Sequence, residues 1–475
     1  MATQAQIRPV TKRRFLVLAA SSLGSTALAA ACGPVGVPAA PGADQASKAP
    51  ATIRFTTWWA PIERYLAQIK DEFEASHAGV KINVELVTSE FVPKMEASLV
   101  AGTWGDASIC ENAVQVKFEE AGLHLDLTDR LKRDKVNLQD NWSLMGLEIW
   151  EGKALMMPFD NDPRAIYYNK TAFKESGAKD PWDDFKGRWT WPDMVQAAKL
   201  TTRTDPSGKI ARFGLQWNYT SYQEFSPLVW TMGGNYADWR TLKYTLEDPA
   251  VLKTHQMLLQ WAKVDRIMIT KEGIAEMMGA SGANPFRAGV AAMYHRAAYD
   301  VNLMFDAIKD RFEWDVAPFP DMDKDHPGVP VTSGNPHFVP KSTKYPDEAY
   351  EWLKHLASDR VQAFFAERKV FVPSNKNAWK AYQTTQPPAH AESFVKWVYG
   401  RRHGFHFYNA GMSAAGQAIN DEMDLVYLDK KRLEQALKDA NTRANELVNF
   451  GKAKNPFPFT VPKPAERDLA KWGVA

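Results

Sequence analysis

Beyond the N-terminal segment, hydrophobic and polar residues recur in a pattern that predicts strands followed by helices. Residues 53–59 place Ile53, Phe55, Thr57 and Trp59 on one face at every second position, which is typical of a strand. Pro61 then suits the first turn of a helix. Apolar residues recur at three-and-four spacing from Ile62 to Phe73, which predicts an amphipathic helix. Residues 80–87 alternate again, so the pattern predicts a strand–helix–strand unit.

The same alternation continues with a helix around 90–101 and a short strand at 106–110. Strands that alternate with helices favour an α/β fold with a mostly parallel sheet covered on both faces. The later part of the chain is richer in helical periodicity. Helices are predicted over 191–200, 248–264, 346–358, 360–367, 411–428 and 430–450, and short strands around 155–168, 213–216, 289–295 and 314–317.

Residues 1–31 have the composition of an export signal. Residues 1–14 carry basic side chains and no acid, and residues 15–31 are apolar or small throughout. A basic start, an apolar stretch and small residues before the cleavage site predict a secretory signal peptide. The alternative is a transmembrane anchor, for which the apolar stretch is at the short limit.

Cys32 is the predicted lipidation site. Residues 28–33 (LAAACG) resemble the lipobox of bacterial lipoproteins, in which the cysteine is lipidated and becomes the mature N-terminus; an ordinary signal peptide with an incidental cysteine is the alternative. Residues 32–50 are rich in Pro, Gly and Ala, which predicts a flexible tether to the extracytoplasmic face of the membrane. Residues 11–16 (TKRRFL) are similar to a twin-arginine signal with Lys for the first Arg, so export by the Sec or the twin-arginine route stays open.

Charge, cysteine number and length limit the classes of function. The formal net charge is +2, and removing residues 1–31, which carry four basic residues, makes it −2. A nearly neutral chain offers no electrostatic basis for binding nucleic acid. If Cys32 is lipidated, Cys110 is the one remaining cysteine, so no disulfide framework or zinc spacing can form and no cofactor is expected. About 440 mature residues exceed what one core usually holds, so two domains are predicted.

Seven stretches of the mature chain, in the same order, resemble the family 1 extracellular solute-binding proteins, the sugar-binding components of ABC importers. The most specific stretch is 152–173 (GKALMMPFDNDPRAIYYNKTAF), with a Gly-Lys pair, an apolar strand containing Pro, acids and a Tyr-Tyr-Asn-Lys motif. The others are 73–87, 94–109, 286–293, 314–320, 334–341 and 348–354.

This resemblance implies a type II periplasmic-binding-protein fold: two α/β lobes, each with a mostly parallel sheet flanked by helices, joined by a hinge. The implied protein is a monomer without enzymatic activity. It captures a small solute, a mono- or oligosaccharide, between closing lobes and delivers it to the permease subunits of an ABC importer. The expected ranges are 51–163 plus 316–360 for lobe one, 164–315 plus 361–460 for lobe two, and 461–475 for a C-terminal tail.

Several candidate ligand-binding residues follow predicted strands. Sugar rings have apolar faces and a rim of hydroxyls, so a sugar site needs flat aromatic side chains and planar hydrogen-bonding groups. In open α/β sheets, ligands bind beyond the carboxyl ends of strands. The 17 Trp permit such platforms. The candidates after predicted strands are Trp58, Trp59, Glu111, Asn112, Asp160, Asp162 and Trp217. The family resemblance implies further candidates: Trp230 before a Gly pair, His295 and Tyr299 after the Ala292-Met293 signature, and Asn335 in the stretch 334–341, with Tyr408 and Asn409 as weaker ones.

Several of these residues have an equally ordinary structural interpretation. Trp59 shares a strand face with Phe55 and suits a core, whereas Trp58 lies on the opposite face and is the better platform. Trp230 also suits the core of lobe two. Arg164, just after the acids, is expected in a salt bridge between the lobes.

Motifs for common enzyme classes are absent from the sequence. It contains no Gly-x-Ser-x-Gly, no phosphate-binding Gly-x-x-x-x-Gly-Lys and no His-Glu-x-x-His. Paired acids of a glycosidase cannot be recognised from sequence spacing. The alternatives are therefore an exported carbohydrate-active enzyme, a ligand carrier for a sensor or chemoreceptor, and a binder of glycerol phosphate, a peptide or an osmolyte.

Overall fold

The computed structural model describes residues 50–112, 114–143, 148–238, 241–279, 283–448 and 460–461. The predicted signal peptide, Cys32 and nearly all of the tether and tail lie outside these residues. The strands that form the two sheets and the connections between them are β1 (Ala51–Thr57), β2 (Val80–Leu86), β3 (Ala107–Ile109), β4 (Met156–Met157), β5 (Asp160–Asn161), β6 (Arg164–Asn169), β7 (Ile210–Gln216), β8 (Met268–Ile269), β9 (Ala291–Ala297), β10 (Trp314–Ala317), β11 (His337–Phe338) and β12 (Val372–Pro373).

The helices begin where the sequence offers N-terminal capping residues or proline. Thr190 and Asp193 form a reciprocal capping box, and Asp248 caps a helix that starts with Pro249. The helices are α1 (Ala60–Ser76), α2 (Phe91–Val100), α3 (Gln115–Glu120), α4 (Thr128–Arg133), α5 (Leu138–Asn141), α6 (Lys170–Ser176), α7 (Trp191–Thr201), α8 (Tyr222–Thr231), α9 (Pro249–Leu259), α10 (Lys271–Met278), α11 (Pro285–Ala288), α12 (Asp300–Ile308), α13 (Pro346–Leu356), α14 (Asp359–Glu367), α15 (Trp379–Thr384), α16 (Lys396–Tyr399), α17 (Met412–Tyr427) and α18 (Leu433–Leu447). None of the helices in the described part of the chain is both long and apolar enough to cross a membrane.

The first sheet has the strand order β2-β1-β3-β11-β4. Strand β1 runs parallel to β2 and β3, and β11 runs antiparallel to β3 and β4. Ile53 and Phe55 of β1 pack into a core with α1 and α13, in which Trp352 lies 5.8 Å from Phe55 between ring centroids. Ile82 is buried on β2 but Leu86 is exposed, because β2 is an edge strand that is only partly covered.

The second sheet has the strand order β8-β7-β9-β6-β10. Strand β7 runs parallel to β8 and β9, whereas β6 runs antiparallel to β9 and β10. Helix α7 lies close against β7 at Gly214, where an added Cβ would come within 2.1 Å of the Ala198 carbonyl oxygen. This contact requires glycine and brings the helix directly onto the sheet.

Each sheet is mostly parallel, as expected: in each of the two strand orders, one strand runs opposite to the other four. The reversed strands are β6 and β11, and both follow a segment that arrives from the other lobe. Within one lobe, a helix that connects two neighbouring strands keeps them parallel. These strands therefore all run toward the hinge and end there. A strand that enters from the other lobe begins at the hinge and therefore runs in the opposite direction.

Two contacts bear on the lobe boundaries. Strand β10 pairs with β6, with Val316 opposite Tyr167, so 314–317 belongs with the second sheet rather than opening the return to lobe one. Val361 and Phe365 of α14 join the core beneath the first sheet. These contacts favour boundaries after 317 and after 371, and the exact division of the chain between lobes stays a prediction.

Candidate functional site

The chain crosses between the two sheets in three segments that lie side by side. Strand β5 pairs antiparallel with β12. Residues 331–335 form the remaining segment and bind the one that contains β5. The backbone amide of Asp162 donates to the Ser333 carbonyl at 2.6 Å, and the backbone amide of Arg164 donates to the Val331 carbonyl at 3.0 Å. Such a bundle of crossing segments is the expected form of a hinge between two lobes.

Asp160, Asp162 and Asn335 form a buried cluster in this hinge. The Asn335 amide donates to Asp160 Oδ1 at 2.6 Å, and Asn335 Nδ2 donates to Asp160 Oδ2 at 3.3 Å and Asp162 Oδ2 at 3.4 Å. Asp162 Oδ1 has no hydrogen-bond partner among the described residues. Buried polar atoms are normally satisfied, so this oxygen is suited to accept a hydrogen bond from a ligand or water.

Burial controls the protonation of both acids. It raises the pKa of Asp160 to about 7, although the hydrogen bonds from Asn335 lower it. It also raises the pKa of Asp162 well above its usual range, and the negative charge of Asp160 adds to the effect. The hinge therefore disfavours negative charge even on its own side chains.

Glu224, on the first turn of α8, holds a second buried cluster beside the hinge. Arg164 Nε donates to Glu224 Oε1 at 3.0 Å, and His295 Nδ1 lies 2.7 Å from Glu224 Oε2. Burial alone would raise the pKa of Glu224, but the charges of Arg164, His295 and Arg296 lower it below its usual range. The ion pair of Arg164 lies beside the second sheet, not across the lobes as expected from the sequence.

Aromatic side chains from both lobes meet at this position. Trp59 follows β1 and Tyr299 follows β9, and their ring centroids lie 6.3 Å apart at an interplanar angle of 79°. Trp58 is only partly buried and stacks on Trp59 with centroids 6.1 Å apart. The guanidinium of Arg296 lies 5.2 Å from the centroid of the Tyr299 ring. Flat apolar faces thus lie close to the charged groups of the second lobe.

Glu111 and Asn112 follow β3 on the first lobe and lie near the same region. Asn112 Nδ2 donates to the Gly334 carbonyl at 3.5 Å, next to Asn335. The negative charge of Glu111 contributes to the raised pKa values of Asp160 and Asp162. These contacts bring the end of β3 next to the hinge cluster.

Trp217 and Trp230 lie in the core of the second lobe. Trp217 stacks on His295 with centroids 4.2 Å apart, and its Nε1 donates to the Glu224 carbonyl at 3.0 Å. Trp230 packs on Gly404, where an added Cβ would lie 2.2 Å from the indole ring. Trp217 therefore packs against His295 and Glu224, and Trp230 lies against the segment that leads to Tyr408.

The sequence did not point to Glu224 or His406. Glu224 is a carboxylate in an otherwise almost wholly buried helix, and this contrast is the signal that could have revealed it. His406 is buried with neither ring nitrogen hydrogen-bonded among the described residues; burial lowers its pKa, and Arg164 lowers it further. Because Phe405 and Phe407 flank His406 in the sequence, the pattern indicates an ordinary core position there.

A separate surface cavity of about 670 Å³ lies on the first lobe, between the end of α3 and the hairpin at 149–154. Its lining includes Glu119, His124 and Trp150, and no residue of the second sheet. It does not adjoin the aromatic pair or the hinge acids. Among the described residues, no group of three or more His, Cys, Asp or Glu is arranged to hold a metal ion.

Two α/β lobes, three crossing segments and a buried polar cluster beneath paired aromatics are the features of a two-lobe binding protein. The chain belongs to the bacterial extracellular solute-binding protein family, whose model matches residues 49–363. It is thus an extracellular solute-binding protein.

Individual relatives are distant. A binding protein of Brucella abortus (strain 2308) is 24% identical over 397 residues, covering 81% of this chain and 90% of the relative. The sn-glycerol-3-phosphate-binding periplasmic protein of Shigella flexneri is 22% identical over 356 residues, covering 70% and 74%. An ABC substrate-binding protein of Listeria monocytogenes, solved in complex with cycloalternan, superposes with a TM-score of 0.73 at 19% identity, covering 84% of this chain and 100% of that one. These similarities establish the two-lobe type II fold.

Proposed function

We propose that this protein captures a sugar, a mono- or oligosaccharide, between its lobes and delivers it to the permease of an ABC importer. The observation that carries the proposal is the contact of Trp59 with Tyr299 beside the Glu224–Arg164 pair. Aromatic faces suit the apolar face of a sugar ring, and the planar carboxylate and guanidinium groups suit its hydroxyls. The proposed binding residues are the sequence candidates around this contact, with Trp217 and Trp230 as supports.

The proposal is tested by a thermal-shift panel of mono- and oligosaccharides, polyols, amino acids and peptides. A bound sugar at 100 times its Kd should add about 2.7 kcal/mol to the free energy of unfolding, because it binds only the folded form. Trp58→Ala and Tyr299→Ala should each weaken binding about tenfold, roughly the loss of one aromatic contact. Trp104→Ala is the matched control, since Trp104 is a partly exposed tryptophan of the first lobe that packs on Phe91.

Three outcomes would contradict this proposal. Shifts with polyols or amino acids but with no sugar would remove the sugar assignment. Unchanged sugar affinity in both Trp58→Ala and Tyr299→Ala would remove the aromatic platforms. Cleavage products from the oligosaccharides would favour a carbohydrate-active enzyme instead.

We further propose that Cys32 is lipidated and that residues 32–50 tether the protein, as a monomer, to the outer face of the membrane beside its permease. The support is the small-residue segment that precedes Cys32 and the Pro/Gly/Ala-rich segment that follows. Acyl chains contribute about 0.8 kcal/mol per buried methylene, which holds a protein at a membrane without a spanning helix.

Lipidation predicts that cells expressing the protein incorporate labelled fatty acid into it and that Cys32→Ser abolishes the label. Cys110→Ala is the control, because Cys110 is buried in the first lobe and cannot accept an acyl chain in the folded protein. Label that persists in Cys32→Ser, or a wild-type chain that carries none, would show that the cysteine is incidental.

A further inference from the structure

The surface cavity of the first lobe has two buried polar side chains in its wall, Glu119 and His124. Each of them is only 5% exposed. Neither carboxyl oxygen of Glu119 and neither ring nitrogen of His124 has a hydrogen-bond partner among the described residues. Buried polar atoms are normally hydrogen-bonded, so four unpaired atoms in the wall of one cavity indicate that a polar molecule binds there.

Backbone hydrogen bonds hold the walls of this cavity in place. The Leu125 amide donates to the Val339 carbonyl at 2.8 Å, which fixes the segment that carries His124 beside the end of the first sheet. The Leu127 amide donates to the Ala154 carbonyl at 2.8 Å, which joins the hairpin to the same segment. The cavity is therefore formed before any ligand arrives, and its volume of about 670 Å³ lies in the usual range for small-molecule sites.

Burial decides which chemistry suits the unpaired groups. It raises the pKa of Glu119 well above its usual range, and the charges of Glu148 and Glu120 add to the effect, so the Glu119 carboxyl is protonated at neutral pH. Burial lowers the pKa of His124 to about 3, so its ring is neutral. A protonated carboxyl and a neutral imidazole each both donate and accept hydrogen bonds. Hydroxyl groups also do both, whereas an ammonium group only donates and a carboxylate only accepts.

The other walls also suit an uncharged molecule. Trp150 and Leu155 are buried apolar side chains that line the cavity and offer contact to C–H groups. The rim carries acids and lysines together: Glu120, Asp126, Glu151, Lys153 and Lys341. Since both signs of charge stand at the entrance, the rim favours neither cations nor anions, and the buried groups decide what binds.

We propose that this cavity is a second ligand site, which binds a small neutral molecule with several hydroxyl groups, a polyol or a single sugar unit. Its hydroxyls exchange hydrogen bonds with Glu119 and His124, and its C–H groups lie against Trp150 and Leu155. The site is separate from the space between the lobes, because its lining includes no residue of the second sheet. The proposal is therefore independent of which solute binds between the lobes.

Hydrogen exchange of the mature full chain tests this proposal, because a bound ligand slows the exchange of the amides around it. The neutral probes are sorbitol, myo-inositol and glucose, and the charged probes are spermidine and citrate. At least one neutral probe should slow exchange over 119–126 and 149–155 by about threefold or more. The charged probes should leave these two segments unchanged. Segments 58–62 and 299–303 report separately on binding between the lobes.

Four variants assign the effect to the cavity. Glu119→Leu should weaken binding of the neutral probe about tenfold, and His124→Phe, which keeps a ring against Phe338, about fivefold. Glu119→Gln keeps a neutral donor and acceptor and should stay within about threefold of the wild type. Glu446→Leu makes the Leu replacement at an exposed position of α18 and should leave binding unchanged.

Each contrary outcome overturns the proposal in a different way. If no neutral probe slows exchange at 119–126 and 149–155, the unpaired atoms bind only water. If spermidine or citrate slows exchange there and the neutral probes do not, the ligand is charged. If Glu119→Leu keeps the full effect, the probe acts elsewhere on the protein. Slower exchange that is confined to 58–62 and 299–303 would leave the sugar proposal standing and remove the second site.

Discussion

Replacing Arg164 with alanine is expected to lower the free energy of unfolding by about 3–5 kcal/mol. Arg164 and Glu224 are only 4% and 3% exposed, and their side chains lie 3.0 Å apart. Removing the guanidinium leaves the Glu224 carboxylate buried with only His295 and the more distant Arg296 near it. Burying a charge without its partner is costly because water is no longer available to solvate it. Urea unfolding of the wild type and the variant measures the difference.

Two controls separate charge from packing in this experiment. Lys209→Ala breaks an ion pair with Glu276 whose side chains are more than half exposed, and it should cost about 0–1 kcal/mol. The double variant Arg164→Met, Glu224→Leu removes both charges and should recover much of the lost stability, while solute binding stays impaired. A loss below about 1 kcal/mol in Arg164→Ala would show that the pair is solvated in the free protein.

Trp217→Ala is expected to lower the free energy of unfolding by about 3–5 kcal/mol, as is usual when a buried Trp is truncated. The ring is 2% exposed, stacks on His295, and donates a hydrogen bond to the Glu224 carbonyl. The variant therefore loses packing and also its contacts with two residues of the candidate site, His295 and Glu224. Urea unfolding gives the stability, and calorimetry with the bound solute gives the affinity.

Trp217→Phe is the matched control for that variant. It keeps most of the ring on His295 and loses the hydrogen bond, which should cost about 1 kcal/mol. If Trp217 is instead a platform that the solute touches, Trp217→Ala should leave stability nearly unchanged and abolish binding. That result would move Trp217 from the core to the solute-binding surface.

The positions of the secondary-structure elements could be predicted closely from sequence. The strand predicted over 314–317 is Trp314–Ala317, and the helix predicted over 191–200 is Trp191–Thr201. Such positions follow from hydrophobic periodicity and capping, which are local properties of the chain. The reversed direction of β6 and β11 could not be predicted in this way. Both strands are reversed because the chain has just crossed the hinge, and the hinge joins segments that are far apart in sequence.

In the candidate site too, some residues could be predicted from sequence, whereas the contacts between them could not. Trp59 was a candidate from its place after a strand and Tyr299 from the family resemblance, but only the fold brings their rings to 6.3 Å. Glu224 offered no motif, because its partner Arg164 is 60 residues away. Arg164 was expected to bridge the lobes and instead pairs with Glu224 beside the second sheet.

The sequence by itself determined the alternation of strands and helices, the two-lobe class through its ordered resemblance to one family, and the set of aromatic and acidic residues at strand ends. Periodicity and turn chemistry are local, so they can be read without the fold. The tertiary structure alone decided that Trp217 is buried against His295, that Asp160 and Asp162 share Asn335, and that Arg164 and Arg296 are paired with the chain's own acids. Burial and charge pairing depend on contacts between distant segments, and they exist only once both lobes and their hinge have formed.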